Sequence, residues 1–73
     1  MHAVRNQKLL NRLAKNLKLA RKARGFTQED LAYKSGLALS QIARIETGKL
    51  NTSYSTLVAI LNALGAEANE LFD

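Results

Sequence analysis

Four glycines and the absence of proline decide what this chain can become. Gly25, Gly36, Gly48 and Gly65 each follow a stretch whose apolar residues recur at helical spacing. A glycine just past the last periodic residue is where helices commonly end. The intervals read as five helices: residues 7–24, a second opened by Thr27 and closed by Gly36, residues 38–47, a fourth opened by Ser53 and closed by Gly65, and residues 67–71. No stretch sustains the alternation of a half-buried strand, so the fold class is all-α. The length, 73 residues, makes one small domain. We expect a compact five-helix domain over residues 9–73, preceded by a flexible basic arm over residues 1–8.

Charge is unevenly spread. Residues 1–24 carry eight Lys or Arg and no acid, a charge of +8, whereas residues 25–73 carry −3. At 100° per residue, Leu9, Leu10, Leu13, Leu17 and Ala20 of the first helix share one arc. Arg5, Lys8, Arg12, Lys15, Lys18 and Lys22 share the opposite one. Leu19 points into the basic arc, and Arg21 sits at the edge of the apolar one. A basic half of this kind suits a polyanion, either nucleic acid or an anionic membrane surface.

Other classes find little support. There is no cysteine, and the one histidine, His2, stands beside the terminus, so no metal site or cofactor is expected. Glu29, Asp30, Glu46, Glu67, Glu70 and Asp73 do not cluster by spacing, and no phosphate-cradling loop is present. An enzyme is not expected. No apolar run approaches the roughly 20 residues that span a bilayer. The first helix lacks Trp and Phe on its apolar side, so a membrane partner is not expected either. A reducing, cytoplasmic setting fits the absence of cysteine.

The second and third helices, joined through Ser35-Gly36-Leu37, have the lengths and turn of a helix-turn-helix. Thr27 with Asp30 three residues on fits a capping box. Ala32 is small where the helices cross, Gly36 suits a tight turn, and Leu37, Ile42 and Ile45 supply apolar contacts. The third helix then turns Ser40, Ala43, Arg44 and Thr47 outward, with Leu39 at the edge. A major groove is read by a few side chains on such a face. Arg44 can bond guanine, Ser40 a base edge or a phosphate, and Leu39 can pack on a thymine methyl. Gln28 stands where helix-start N–H groups are unpaired, which suits a phosphate, and its amide can reach a second phosphate or a base. Thr47, Lys49, Asn51 and Thr52 are candidates for contacts that position the protein on the sugar-phosphate backbone. Ala38 cannot cap the third helix with its side chain, so that helix end is expected to fray without DNA.

Residues from about 13 to 72 resemble the phage-repressor (Cro/CI-type) helix-turn-helix family through "GFTQEDLAYKSGL", "QIARIETGK", "NTSYSTLVAILNALG" and the "ELF" ending. The resemblance implies five helices, cytoplasmic transcription control and binding of double-stranded DNA as a homodimer on a two-fold symmetric operator. By it, Gln28, Leu39, Ser40 and Arg44 fall at base or phosphate contacts, and Lys49 and Asn51 at the backbone. It also pairs Arg21 with Glu46, each at the edge of an apolar arc, where a charge needs a partner. One recognition helix reads few base pairs, and two set one DNA turn apart, about 34 Å, give useful affinity. Val58, Leu71 and Phe72, which a small core leaves partly uncovered, are the candidate dimer surface. The alternative is an antitoxin-type regulator that also binds a partner protein through the N-terminal arm.

Overall fold

The computed structural model describes residues 7–49 and 52–73. These form α1 (Gln7–Ala23), α2 (Gln28–Ser35), α3 (Leu39–Glu46), α4 (Tyr54–Leu64) and α5 (Ala68–Phe72), and no strand occurs among the described residues. Arg5, like the rest of residues 1–6, lies outside the described residues. Gln7 and Lys8, on the arm side of the boundary expected from sequence, are the first two residues of α1.

Helix α1 is the spine of the fold. It packs on α5 along one side and on α3 along the other, while α2 bridges α3 and α4. Its buried arc is Leu10, Leu13, Ala14, Leu17, Ala20 and Arg21. Leu9, expected in this arc, lies at its edge and is exposed. Leu13 and Leu17 meet Leu31, Ile42, Ile45, Ile60, Leu64 and Leu71 in one continuous core, with Phe26, Leu37, Leu57 and Leu61 packed around it.

The helix starts follow their local chemistry. Thr27 Oγ1 accepts from the Asp30 N–H at 3.0 Å and Asp30 Oδ2 from the Thr27 N–H at 2.8 Å, a complete capping box. The Thr27 N–H holds the Asp30 carboxyl below the usual carboxylate range. Ser53 Oγ accepts from the Thr56 N–H at 3.2 Å and so caps α4. Ala38 indeed gives α3 no side-chain cap. Its own N–H is nonetheless satisfied, donating to Gln41 Oε1 at 3.0 Å, so half of a capping box remains.

Polar ties fix the short C-terminal helix. Asn16 Nδ2 donates to the Leu71 carbonyl at 2.8 Å. Arg24 donates to the carbonyls of Leu64 (2.6 Å) and Ala20 (2.9 Å) and pairs with both carboxylate oxygens of Glu70 (2.7 and 2.9 Å). That hydrogen-bonded pair holds the Glu70 carboxyl below its usual range. Docked this way, α5 turns Leu71 inward, where it is 0% exposed. Leu71 therefore belongs to the core and not to a dimer surface. Phe72 stays 44% exposed and Val58 is half-buried.

Gly48, after α3, combines two demands. Its φ is +73°, and a Cβ there would lie 2.7 Å from Asn11 Oδ1 and 3.3 Å from Gln7 Nε2 of α1. Gln7 Nε2 also donates to the Gly48 carbonyl at 2.9 Å and to Asn11 Oδ1 at 2.8 Å. The start of α1 is thereby tied to the end of α3. Gly48→Ala is expected to cost about 1–2 kcal/mol through left-handed backbone strain, and Tm falls by roughly 4–8 °C per kcal/mol in a domain of this size. The flexible Asn11 side chain can yield, so an Asn11→Ala background should not restore the loss. Thermal melts followed by circular dichroism check both, and full rescue by Asn11→Ala would show that the side-chain contact, not φ, sets the requirement.

Candidate nucleic-acid interface

Helix α3 has eight residues, about 12 Å of helix. Its inward side is Ile42, Ile45 and Glu46, all buried. Two isoleucines at i and i+3 make an apolar stripe that seats α3 on α1 and α2. Glu46 follows Ile45 on the same side and carries a charge into that seat. It is 4% exposed, and Arg21, which faces it from α1, is 7% exposed.

The two form a bidentate pair. Arg21 Nε donates to Glu46 Oε2 at 2.6 Å and Arg21 Nη2 to Glu46 Oε1 at 3.0 Å. Arg21 Nη1 donates to the Phe26 carbonyl at 2.7 Å, in the turn before α2. The hydrogen bond to Glu46 raises the Arg21 pKa further above its ordinary value, outweighing the desolvation that opposes it. Gln28, the first residue of α2, adds a third donor, with Nε2 3.1 Å from Glu46 Oε1. One carboxylate therefore gathers α1, the start of α2 and the end of α3.

With Glu46 fixed inward, helical geometry turns Ser40, Arg44 and Thr47 roughly 100–160° away. All three are exposed, as is Leu39, and Ala43 is half-buried. The Ser40 hydroxyl and the Arg44 guanidinium make no hydrogen bond or ion pair among the described residues. The hydroxyl at Ser40 and the guanidinium at Arg44 lie along one side of a helix narrow enough to enter a major groove, with the donor types that read base edges, and Leu39, at the helix start, lies roughly 100–140° round from them.

The expected phosphate contacts divide. Lys49 is exposed and follows the α3 C-terminus, its N–H donating to the Arg44 carbonyl at 3.0 Å. Gln28 is half-buried and bound to Glu46, which commits one of its two amide hydrogens and leaves the other. The Thr47 hydroxyl donates to the Arg44 carbonyl at 3.0 Å, so it must turn before it can donate to a phosphate. Thr52 Oγ1 is enclosed, with no hydrogen-bond partner among the described residues. Asn51 lies outside the described residues. Sequence reasoning missed the bond from Gln28 to Glu46, for which the only available signal was the placement of an amide at the α2 start.

Residues 17–71 match the helix-turn-helix family. The chain is 39% identical over 59 residues to the immunity repressor protein of Bacillus phage phi105, covering 81% of this chain and 41% of the repressor. It is 40% identical over 52 residues to antitoxin HipB of Escherichia coli O6:H1, covering 71% of this chain and 55% of the antitoxin. It thus spans under two thirds of the length of either. Among solved structures it resembles the restriction-modification controller protein C.AhdI of Aeromonas hydrophila, with a TM-score of 0.83 and 36% identity over 86% of this chain and 96% of that one. It also resembles the controller protein C.Esp1396I, seen as a tetramer on its natural 35-base-pair operator, with a TM-score of 0.80 and 36% identity over 88% of this chain and 84% of that one.

Removing one member of a buried pair strands the other charge. Glu46→Leu is expected to destabilise the domain by about 3–5 kcal/mol, and adding Arg21→Met should recover most of that loss. Urea unfolding of the two variants and the parent measures it. A double variant as unstable as the single one would show that the cost does not come from the stranded Arg21 charge.

Proposed function

The chain belongs to this helix-turn-helix family, and from that membership and the form of α3 we propose that it is a sequence-specific, double-stranded-DNA-binding transcriptional regulator. The observation that carries the reading is the exposed Ser40–Arg44 side of α3, held outward by a buried ion pair on the opposite side. In this reading α3 enters the major groove. Arg44 bonds a guanine bidentately, Ser40 bonds a base edge or a phosphate, and Leu39 packs on a thymine methyl. Helix α2 crosses the backbone, its N-terminus and the remaining Gln28 amide hydrogen meeting a phosphate. Lys49 supplies charge beside it, and Asn51 and a rotated Thr47 extend the same line of contacts.

Control of cytoplasmic DNA as a homodimer on a two-fold symmetric operator completes the proposal. Its support is the oligomeric controller protein on operator DNA to which this chain is similar, together with exposed Phe72 on α5 and half-buried Val58 on α4. A second reading, a regulator that also binds a protein partner through the N-terminal arm, is favoured by the 40% identity to an antitoxin.

Selection from a pool of random duplexes supplies the target sequence, and gel shifts then test the residues. Arg44→Ala should lower affinity for the selected site by about 1–3 kcal/mol and relax preference at one base pair. Lys49→Ala should weaken binding to all sequences alike and flatten the salt dependence by about one unit. Discrimination left intact by Arg44→Ala would remove Arg44 from the reading role, and a Lys49→Ala loss confined to one sequence would remove Lys49 from the backbone role.

A further inference from the structure

The outer face of α1 is not used by the recognition helix. Lys8, Arg12, Lys15, Lys18 and Lys22 are all exposed there. They recur every three or four residues, opposite the buried arc through Leu17. From Lys8 to Lys22 the stripe runs about 21 Å. The two ion pairs among the described residues take Arg21 and Arg24, not the stripe, and no acid occurs in residues 1–24.

Such a face is costly to keep. Like charges one turn apart repel, and Lys8 in the first turn opposes the helix dipole. A face serving only as a wet surface would be more stable with mixed signs. Most of the stripe lies off the edge of α1 that meets α3. Helix α1 meets the α3 end through Gln7, Asn11 and Arg21, and Lys8, Arg12 and Lys15 lie roughly 40–180° round α1 from them. The stripe then faces away from α1's own packed side.

We propose that the outer face of α1 is a second, sequence-independent binding surface for a phosphodiester backbone, used while α3 holds the first duplex. A straight row of cations matches the regular charge of a DNA strand and carries little that reads bases. An anionic bilayer fits less well. The apolar arc of α1 is spent in the core, and Leu19, 57% exposed between Lys15 and Lys22, offers a bilayer little apolar area. The backbone comes either from a separate DNA segment, which the protein then bridges, or from the flank of the same duplex bent round. The inference goes beyond the proposed regulator but assumes that α3 binds DNA.

The test compares the parent with a variant carrying Lys8→Gln, Lys15→Gln, Lys18→Gln and Lys22→Gln. Protein is loaded on an immobilised duplex and challenged with a labelled duplex of unrelated sequence. If the source is a separate segment, the parent captures the label, the variant loses about tenfold or more of that capture, and its salt slope on a single duplex is unchanged. If the source is the same duplex, the single-duplex slope of the variant flattens by about three to four units, near 0.9 per phosphate lost. Equal capture and equal slopes for the two proteins would overturn the inference. So would tighter binding of the parent to phosphatidylserine-containing vesicles than to the unrelated duplex, lost in the variant. If neither protein binds the immobilised duplex, the regulator reading fails first and this one with it. Circular dichroism melts should place the variant at or above the parent in Tm. Should it not fold, the Lys15→Gln/Lys22→Gln pair carries the same comparison, with a smaller expected loss.

Discussion

The carboxylate of Glu46 is the point on which the orientation of α3 turns. It sits among apolar side chains where an unpaired charge would not be tolerated, and the Arg21 guanidinium meets it with two hydrogen bonds. A pair of this kind adds little net stability over an apolar substitute. What it adds is orientation. Ile42 and Ile45 alone tolerate some rotation of α3 in its seat, whereas a bidentate contact between two planar groups admits little. Because Glu46 must face α1, Ser40 and Arg44 must face away. The same carboxylate holds the Gln28 amide, so the start of α2, where a helix N-terminus attracts anions, is registered against the end of α3.

Around that point the domain uses side-chain-to-backbone ties where its small core is thin. The Leu71 carbonyl is held by Asn16, the Leu64 carbonyl by Arg24 and the Gly48 carbonyl by Gln7. All three donors belong to α1 or the turn after it. The first helix thus serves on three sides: one edge fixes α3, the other fixes α5, and the buried arc between them fills the core. Its fourth side carries the basic stripe. The charge asymmetry of the chain has a structural counterpart, since the acids Glu46 and Glu70 pair with Arg21 and Arg24 at the C-terminal end of α1 and leave the remaining cations to the outer face.

The helices were legible because their punctuation is local. A glycine at positive φ after a periodic run and a Thr27–Asp30 box need no knowledge of the rest of the chain. The Arg21–Glu46 pair was legible for a related reason, each charge being conspicuous on an apolar arc, with the family resemblance naming the partner. The ties from Gln7, Asn16 and Arg24 were not legible. They join residues 40 or more apart to backbone carbonyls, and a carbonyl leaves no mark in a sequence. Leu71 was misassigned because five residues of helix are too few to define an arc, so only docking shows which way it faces. The same limit applied to hydroxyls. The Thr47 side chain gave no sign of the carbonyl it bonds within its own helix. The α3 start, short of a cap at Ala38, is helped by Gln41, a compensation three residues downstream.

The claim on which the rest stands is that the polar side of α3 is the surface that meets DNA. Titrating isotope-labelled protein with its selected duplex and following backbone amide resonances tests it directly. The expected result is that the largest shifts fall on Gln28, Ser40, Ala43, Arg44 and Thr47 as the first equivalent is added. Amides of α3 that stay in place while shifts gather on other helices would contradict it.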